Sequence, residues 1–283
     1  MQEQKSDLTF LTRLPRPFFL NGIFRGLMRM SRNHGLHTLA RINNRLFPEG
    51  EVVRLPTGNE FYVPGDPHLI GYVLSRHDHH ITRIMQEKIS SGDLCVDAGA
   101  NLGYFTCVMA ALCAPGGRVL SFEPESANYR TLCINAEIAS AAGVEIIPTQ
   151  AAVSNATSKM ELIRGAEVGM HQVGRVSGIG KAELVEGIRL VDVPAAMETP
   201  ISFLKIDVEG HEFEVLEGCS ALFDAGRVAT AVVEVFPGEG AENIDRILQR
   251  WNPRISCWLN ESWTQVEIRR LTYRTDVLLE FDR

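Results

Sequence analysis

The chain has no run of 18 consecutive apolar residues, so no membrane-spanning helix is expected. It also lacks an excess of basic side chains. The 28 Lys and Arg stand against 35 Asp and Glu, a formal net charge of −7, which argues against duplex nucleic acid as the main partner because binding there rests on clustered cations. Cysteine is sparse, and its spacing includes no Cys-x-x-Cys pair. Cys95, Cys107, Cys113, Cys133, Cys219 and Cys257 fall mostly inside apolar patterns, so they read as small core hydrophobes in a reducing cytoplasm rather than a disulfide framework. The first residues lack the basic, apolar, small-residue order of a signal peptide, and the expected location is cytoplasmic. There is no internal repeat.

What is present fits one large α/β domain behind an N-terminal extension, since 283 residues can bury a substantial core and the hydrophobic content of 45% is ordinary. The extension spans residues 1–76. Its first 50 residues hold eight basic side chains (Lys5, Arg13, Arg16, Arg25, Arg29, Arg32, Arg41, Arg45) against three acidic ones (Glu3, Asp7, Glu49). From Pro17 to Arg32 the period is helical, with Leu20, Ile23, Phe24, Leu27 and Met28 on one face and Arg25, Arg29 and Arg32 on the other. A helix docked on the domain is one reading; peripheral contact with an anionic membrane surface is the other. A hairpin is expected next, with strands at 51–55 and 60–64 turning at Thr57-Gly58-Asn59.

From residue 77 to 283 strands and helices alternate. Asp78 caps a helix through Lys88, with Ile81, Ile84, Met85 and Ile89 as its stripe. The expected strands are 94–97, 118–122, 144–147, 201–207 and 228–236, with helices at 126–139, 212–218 and 241–251 between later members. Such alternation implies a doubly wound, mainly parallel sheet. Two last strands, 254–259 and 273–281, have no crossover helix and should form an antiparallel edge pair. A β-like excursion is expected at 159–164 and 188–193, enclosing a glycine-rich, lid-like insertion at 165–187.

The most informative stretch is Leu94-Cys95-Val96-Asp97-Ala98-Gly99-Ala100-Asn101-Leu102-Gly103-Tyr104. A strand ends on a carboxylate, a glycine-punctuated turn follows, and a helix opens. The spacing Gly99-x-x-x-Gly103, with Asn101 where a dinucleotide fingerprint has its middle glycine, places a polar side chain toward the ligand instead of bare backbone. The next strand ends on Glu123, 26 residues after Asp97, and a carboxylate there can accept from both hydroxyls of a ribose. Four apolar strands in fact finish on acids: Asp97, Glu123, Asp207 and Glu234. Parallel strands bring these to one sheet edge, which suits a ligand that is cationic or rich in hydroxyl and amino groups. Lys205-Ile206-Asp207-Val208-Glu209-Gly210-His211-Glu212 is the densest polar piece, and Lys205, mid-strand, should pair with Asp207 or Glu234.

Val-Asp-Ala-Gly-Ala-Asn-Leu-Gly-Tyr-Phe-Thr (96–106), Phe-Glu-Pro (122–124), Ala-Ala-Val-Ser (151–154) and Lys-Ile-Asp-Val-Glu-Gly-His-Glu (205–212) resemble the FkbM family of S-adenosylmethionine-dependent methyltransferases. The resemblance covers roughly residues 80–250 and implies a Rossmann-like class I methyltransferase fold. It also implies methyl transfer to a hydroxyl of a sugar, glycolipid or polyketide-type metabolite. On that basis Asp97, Gly99, Asn101 and Gly103 hold the methionine portion of S-adenosylmethionine, Glu123 its ribose, and Gln150, Ala151 and Ala152 lie beside its adenine. Asp207, Glu209, His211 and Glu234, with Lys205, form the candidate catalytic set, an acid of the 207/209 pair being the favoured base. A divalent metal on Asp207, Glu209 and Glu234 is conceivable but not expected, and His77-Asp78-His79-His80 reads as a solvated helix start. Two rivals stand beside this: a methyltransferase-like binding module in a glycan-assembly complex, and a nicotinamide-dependent oxidoreductase, which the absent third glycine disfavours.

Overall fold

A computed structural model describes residues 50–55, 57–64, 79–164, 171–174 and 183–281. The basic helix expected over 17–32 and the Asp78 cap lie outside these residues. The chain divides into two units, Met1–Val53 with Tyr62–His77, and Arg54–Phe61 with Asp78–Arg283. Strands β1 (Glu51–Arg54) and β2 (Glu60–Val63) form a two-stranded sheet of their own, as the hairpin reading expects.

In the second unit the chain runs α1 (His79–Lys88), β3 (Leu94–Ala98), α2 (Tyr104–Cys113), β4 (Arg118–Phe122), α3 (Ser126–Ser140), β5 (Glu145–Thr149) and β6 (Ala152–Val153). It continues with β7 (Ser158–Arg164), β8 (His171–Gly174), β9 (Glu183–Ile188), α4 (Pro194–Glu198), β10 (Ile201–Ile206), α5 (Glu212–Gly218), α6 (Ser220–Asp224) and β11 (Val228–Val235). Last come α7 (Glu239–Leu248), β12 (Arg254–Leu259), β13 (Ser262–Gln265) and β14 (Thr275–Glu280). The main sheet has the order β13-β12-β14-β11-β10-β3-β4-β5, parallel from β11 to β5 and antiparallel beyond it. This is a Rossmann-like, class I methyltransferase arrangement. β3 and β10 are buried at every position, so their sequences do not alternate and are apolar apart from Asp97, Ser202 and Lys205.

The two sheet faces differ in character. Leu94, Val96, Ala98, Leu204, Ile206, Val233 and Val277 pack with Val215, Leu222, Ile244 and Leu248 of α5, α6 and α7 in one core. The alternate positions face α1 and α2, and here the polar residues sit: Thr106 of α2 meets Asp97, and Phe105 meets Lys205. On α1, Ile81, Ile84 and Met85 are buried, with Ile89 just beyond it, the stripe its spacing predicts.

Three expectations are corrected. β12 and β14 form the expected antiparallel pair, but β14 is the inner strand, between β11 and β12, and the sheet ends on β13, a strand inside a segment read as turns. The strand expected over 188–193 lies earlier, at 183–188. Leu190–Asp192 is a 3-10 turn with Arg189 and Asp192 paired across it, and Pro194 opens α4, a position where its fixed φ and missing N–H fit. Of the lid-like insertion, residues 171–174 and 183–187 are strands of a separate sheet, order β6-β9-β7-β8; its other residues lie outside those described. Among the described residues no helix is long and apolar enough to cross a membrane, and all six cysteines are free.

Candidate active site

The loop from β3 to α2 takes left-handed backbone three times, at Gly99 (φ 83°), Asn101 (φ 52°) and Gly103 (φ 90°). The N–H groups of Gly99 and Ala100 both donate to the Phe122 carbonyl at 3.0 and 2.9 Å, tying the loop to the end of β4. Glycine is required at 99 for a reason the sequence reading did not supply. A Cβ there would lie 1.8 Å from the Asp207 carbonyl oxygen, so the glycine admits the neighbouring loop of the protein itself. At Gly103 a Cβ would meet Leu132 Cδ1 at 2.8 Å, and Asn135 holds the same turn by donating to the Leu102 carbonyl.

Glu123 follows β4 and is 5% exposed. Its Oε2 accepts from the Asn101 N–H and its Oε1 from the Glu125 N–H, both at 2.8 Å. Burial raises its pKa to about 7 against these two hydrogen bonds. Each oxygen keeps a lone pair for a further donor. Asn101 Oδ1 beside it is a buried acceptor with no partner. The Thr149 carbonyl of β5 accepts from the Glu123 N–H, and Gln150, Ala151 and Ala152 follow Thr149 in the chain. Gln150 is exposed; the two alanines are buried.

Asp97 departs from its expected setting. It lies within β3, fully buried, and its Oδ2 accepts from Thr106 Oγ1 at 2.7 Å while Thr106 lies 2.9 Å from Ser121 Oγ. Thr106 has one proton and gives it to the carboxylate, so Ser121 donates to Thr106. Asp97 Oδ1 has no partner, and burial raises the pKa of this group although Lys205 and Thr106 oppose the rise. The four acids that close strands therefore do not form one cluster. Asp207, Glu209 and Glu234 come together, with one carboxylate oxygen of each within 4.8 Å of the others, and Asp97, Glu123 and His211 are not in that group.

Two cations hold the three acids. Lys205, 3% exposed, donates from Nζ to Asp207 Oδ2 at 2.8 Å and lies 4.9 Å from the centroid of the Phe105 ring. Arg274 donates through Nη2 to Glu209 Oε1 at 3.0 Å and through Nε to Glu234 Oε1, with its guanidinium over Phe236. Glu209 has φ 55°, strained for a residue with a side chain, and Glu212 stabilises this turn by accepting from the N–H groups of Val208 and Gly210. Burial raises the pKa of Glu209. At Glu234 burial, then the charge of Asp207, push it to about 8 although Arg274 pulls the other way. Glu234 Oε2 is buried without a partner.

His211 stands elsewhere. Its Nε2 is 2.9 Å from Ser154 Oγ and its Nδ1 is 3.5 Å from Glu214, and burial lowers its pKa. It braces the turn against the loop after β6. Arg274 and Thr106 escaped the sequence reading. A signal for Arg274 existed: a final strand running antiparallel beside the 228–236 strand begins where that strand ends, and Arg274 immediately precedes it.

Residues 97–255, more than half of the chain, match the family described as the methyltransferase FkbM domain. The chain is 25% identical over 175 residues to the hexuronic acid methyltransferase AglP of Haloferax volcanii, covering 61% of this chain and 68% of that one. Among solved structures, the methyltransferase FkbM from Methylobacillus flagellatus shares 18% identity and covers 67% of this chain and 43% of that one, with a TM-score of 0.42. An S-adenosylmethionine-dependent O-methyltransferase from Thermotoga maritima shares 14% identity and covers 85% and 82%, with a TM-score of 0.41.

Proposed function

The chain belongs to the FkbM methyltransferase domain family and is a methyltransferase, and from that premise we propose that it moves a methyl group from S-adenosylmethionine to a hydroxyl of a sugar, glycolipid or polyketide-type metabolite. The observation that carries the donor assignment is Glu123, braced by two backbone N–H groups at the end of β4 with one lone pair per oxygen left for a ribose diol. Buried acceptors without donors, Asn101 Oδ1 and Asp97 Oδ1, stand in the same loop region and suit the amino group of the methionine portion. S-adenosylmethionine supplies an electrophilic methyl group on a positively charged sulfur.

The acid group fits that charge. Once Glu234 is ionised, above about pH 8, three carboxylates face two cations, leaving one negative charge for one positive sulfur. Holding donor and acceptor in line supplies most of the rate, on the order of 7–11 kcal/mol for well-oriented pairs. The acceptor hydroxyl also loses a proton, and we place the base among Asp207, Glu209 and Glu234. The pKa of about 8 at Glu234 matches a base working near neutrality. The Lys205 and Arg274 contacts orient these acids, and His211, held by Ser154 and Glu214, positions their turn.

The test separates binding from chemistry. Asp207→Asn, Glu209→Gln and Glu234→Gln should lower turnover, at the base by about 10²–10⁴-fold, while calorimetry shows S-adenosylhomocysteine still bound. Full activity in all three excludes the group as base. Absence of heat with both donor and spent donor in the unmodified protein ends the assignment.

The AglP relative, named for a hexuronic acid, favours a sugar among the three acceptor classes. A peripheral role of residues 1–50 at a membrane remains part of this reading.

A further inference from the structure

The acid edge continues sideways into an aromatic wall. Glu234 of β11 is opposite Asp276 of β14. The β12–β14 ladder places Trp258 at the level next to Asp276, and Trp258 is opposite Trp263 of β13. Opposed residues share a face, so Glu234, Asp276, Trp258 and Trp263 form one row across four strands, on the side covered by α1. From α1, His80 donates or accepts at Asp276 Oδ2 through Nε2 at 2.8 Å. Its ring stacks on Trp258 (centroids 5.7 Å, 22°) and tilts against Trp263 (5.7 Å, 56°). Both tryptophans are half-buried, and the indole Nε1 of Trp263 is a buried donor with no partner. β13 is the last strand of the sheet, and Trp263 is its one residue that is not exposed.

We propose that this wall is the acceptor subsite and takes a pyranose ring. The inference rests on the donor reading above. With the donor over the β3 and β4 loops and the acids at β10 and β11, an in-line acceptor approaches from the opposite flank, where β14, β12 and β13 lie. The chemistry of the wall suits a sugar. The axial C–H face of a pyranose packs on the electron-rich face of an indole, here that of Trp263, because Trp258 already carries the His80 ring and the Arg83 guanidinium, while the surrounding hydroxyls require donors and acceptors. Trp263 Nε1 supplies an unused donor, Asp276 an acceptor and His80 either, within one row that ends at Glu234. A flat polyketide would use the indoles and leave the Trp263 indole N–H unmatched, which is costly for a buried donor.

Saturation-transfer NMR with methyl β-D-glucopyranoside and with D-glucuronic acid tests this on the full chain, with calorimetry of S-adenosylhomocysteine on the same samples. Ring C–H protons of at least one sugar should receive saturation. Trp263→Ala and Asp276→Asn should weaken sugar binding about tenfold or more, the effect of losing one hydrogen bond or its stacking surface, with S-adenosylhomocysteine affinity unchanged. Trp263→Phe keeps the packing and should lose affinity by less than Trp263→Ala. Absence of transfer to either sugar, or equal transfer in Trp263→Ala, Trp263→Phe and Asp276→Asn, overturns the subsite. Failure of S-adenosylhomocysteine to bind condemns the donor reading separately, since the sugar signal is read without it.

Discussion

Replacing Gly99 with alanine tests whether the β3 loop and the Asp207 turn are built as one unit. Two costs add there. The backbone is left-handed at φ +83°, about 1–2 kcal/mol for a residue with a Cβ. The new Cβ would also sit 1.8 Å from the Asp207 carbonyl oxygen, so the two loops must separate by more than about 1 Å, a backbone strain of about 1–3 kcal/mol. Gly92 is the internal control. It has φ +87° with nothing within 4 Å of a built Cβ, so Gly92→Ala carries the first cost alone. The entropy that alanine removes from the unfolded chain is common to both and cancels in the comparison. In a domain of this size each kcal/mol moves Tm by about 2–4 °C. Gly92→Ala should therefore lower Tm by about 2–8 °C and Gly99→Ala by about 4–20 °C, measured by calorimetry in the same buffer. Because Asp207 shifts with its carbonyl, Gly99→Ala should also lose about 100-fold in turnover, the penalty for an ångström of misplacement, while Gly92→Ala retains activity. Equal Tm losses in the two variants, or full turnover in Gly99→Ala, would refute the reasoning.

Glu123 has acceptor capacity on both oxygens for the two ribose hydroxyls, beyond its two backbone N–H bonds, when it is ionised, and burial sets its pKa near 7, above its ordinary 4.5. The neutral spent donor should accordingly bind about tenfold more tightly at pH 8 than at pH 6, and Glu123→Gln should flatten that profile; a flat profile in the unmodified protein counts against the ribose contact. The same group acts on stability in the opposite sense: its folded pKa is the higher one, so its contribution is complete below about pH 4.5 and is lost as pH rises through about 7. Lys205 and Arg274 already pair with the acid group, so exhaustive EDTA treatment should leave turnover unchanged; a loss restored by added Mg²⁺ would assign Asp207, Glu209 and Glu234 to a metal instead.

The parallel core was legible because its strands are buried on both faces and therefore mostly apolar without alternation, as at Leu94–Ala98 and Ile201–Ile206, where Asp97, Ser202 and Lys205 are the exceptions, and because Gly99 and Gly103 mark a turn that only glycine tolerates. Strand ends announced Glu123, Asp207 and Glu234. Their partners were hidden, since pairing across a sheet depends on strand order: Arg274 reaches Glu209 and Glu234 only because β14 runs beside β11. A carboxylate at a strand end pointed to Asp97, but the hydroxyl that holds its Oδ2 comes from Thr106, in the first turn of the next element, which the strand pattern does not show. β13 was missed because its pattern, Ser262 to Gln265, buries no residue fully and so carries no alternation worth reading. The histidines at 79 and 80 read as a solvated helix start, yet the ring of His80 packs on Trp258 and Trp263, residues far away in sequence.

Strand β14 occupies a slot between two strands that are made before it. On the ribosome, β11 and β12 emerge before the strand that pairs with both, so an edge of each stays unpaired until β14 is made. Arg274 arrives with the strand that fills the gap, so Glu209 and Glu234 acquire their counter-charge at the moment the sheet closes. A nascent chain stalled before residue 274 would thus lack the cation that Glu209 and Glu234 share, so the pairing of these acids waits on the last strand of the chain.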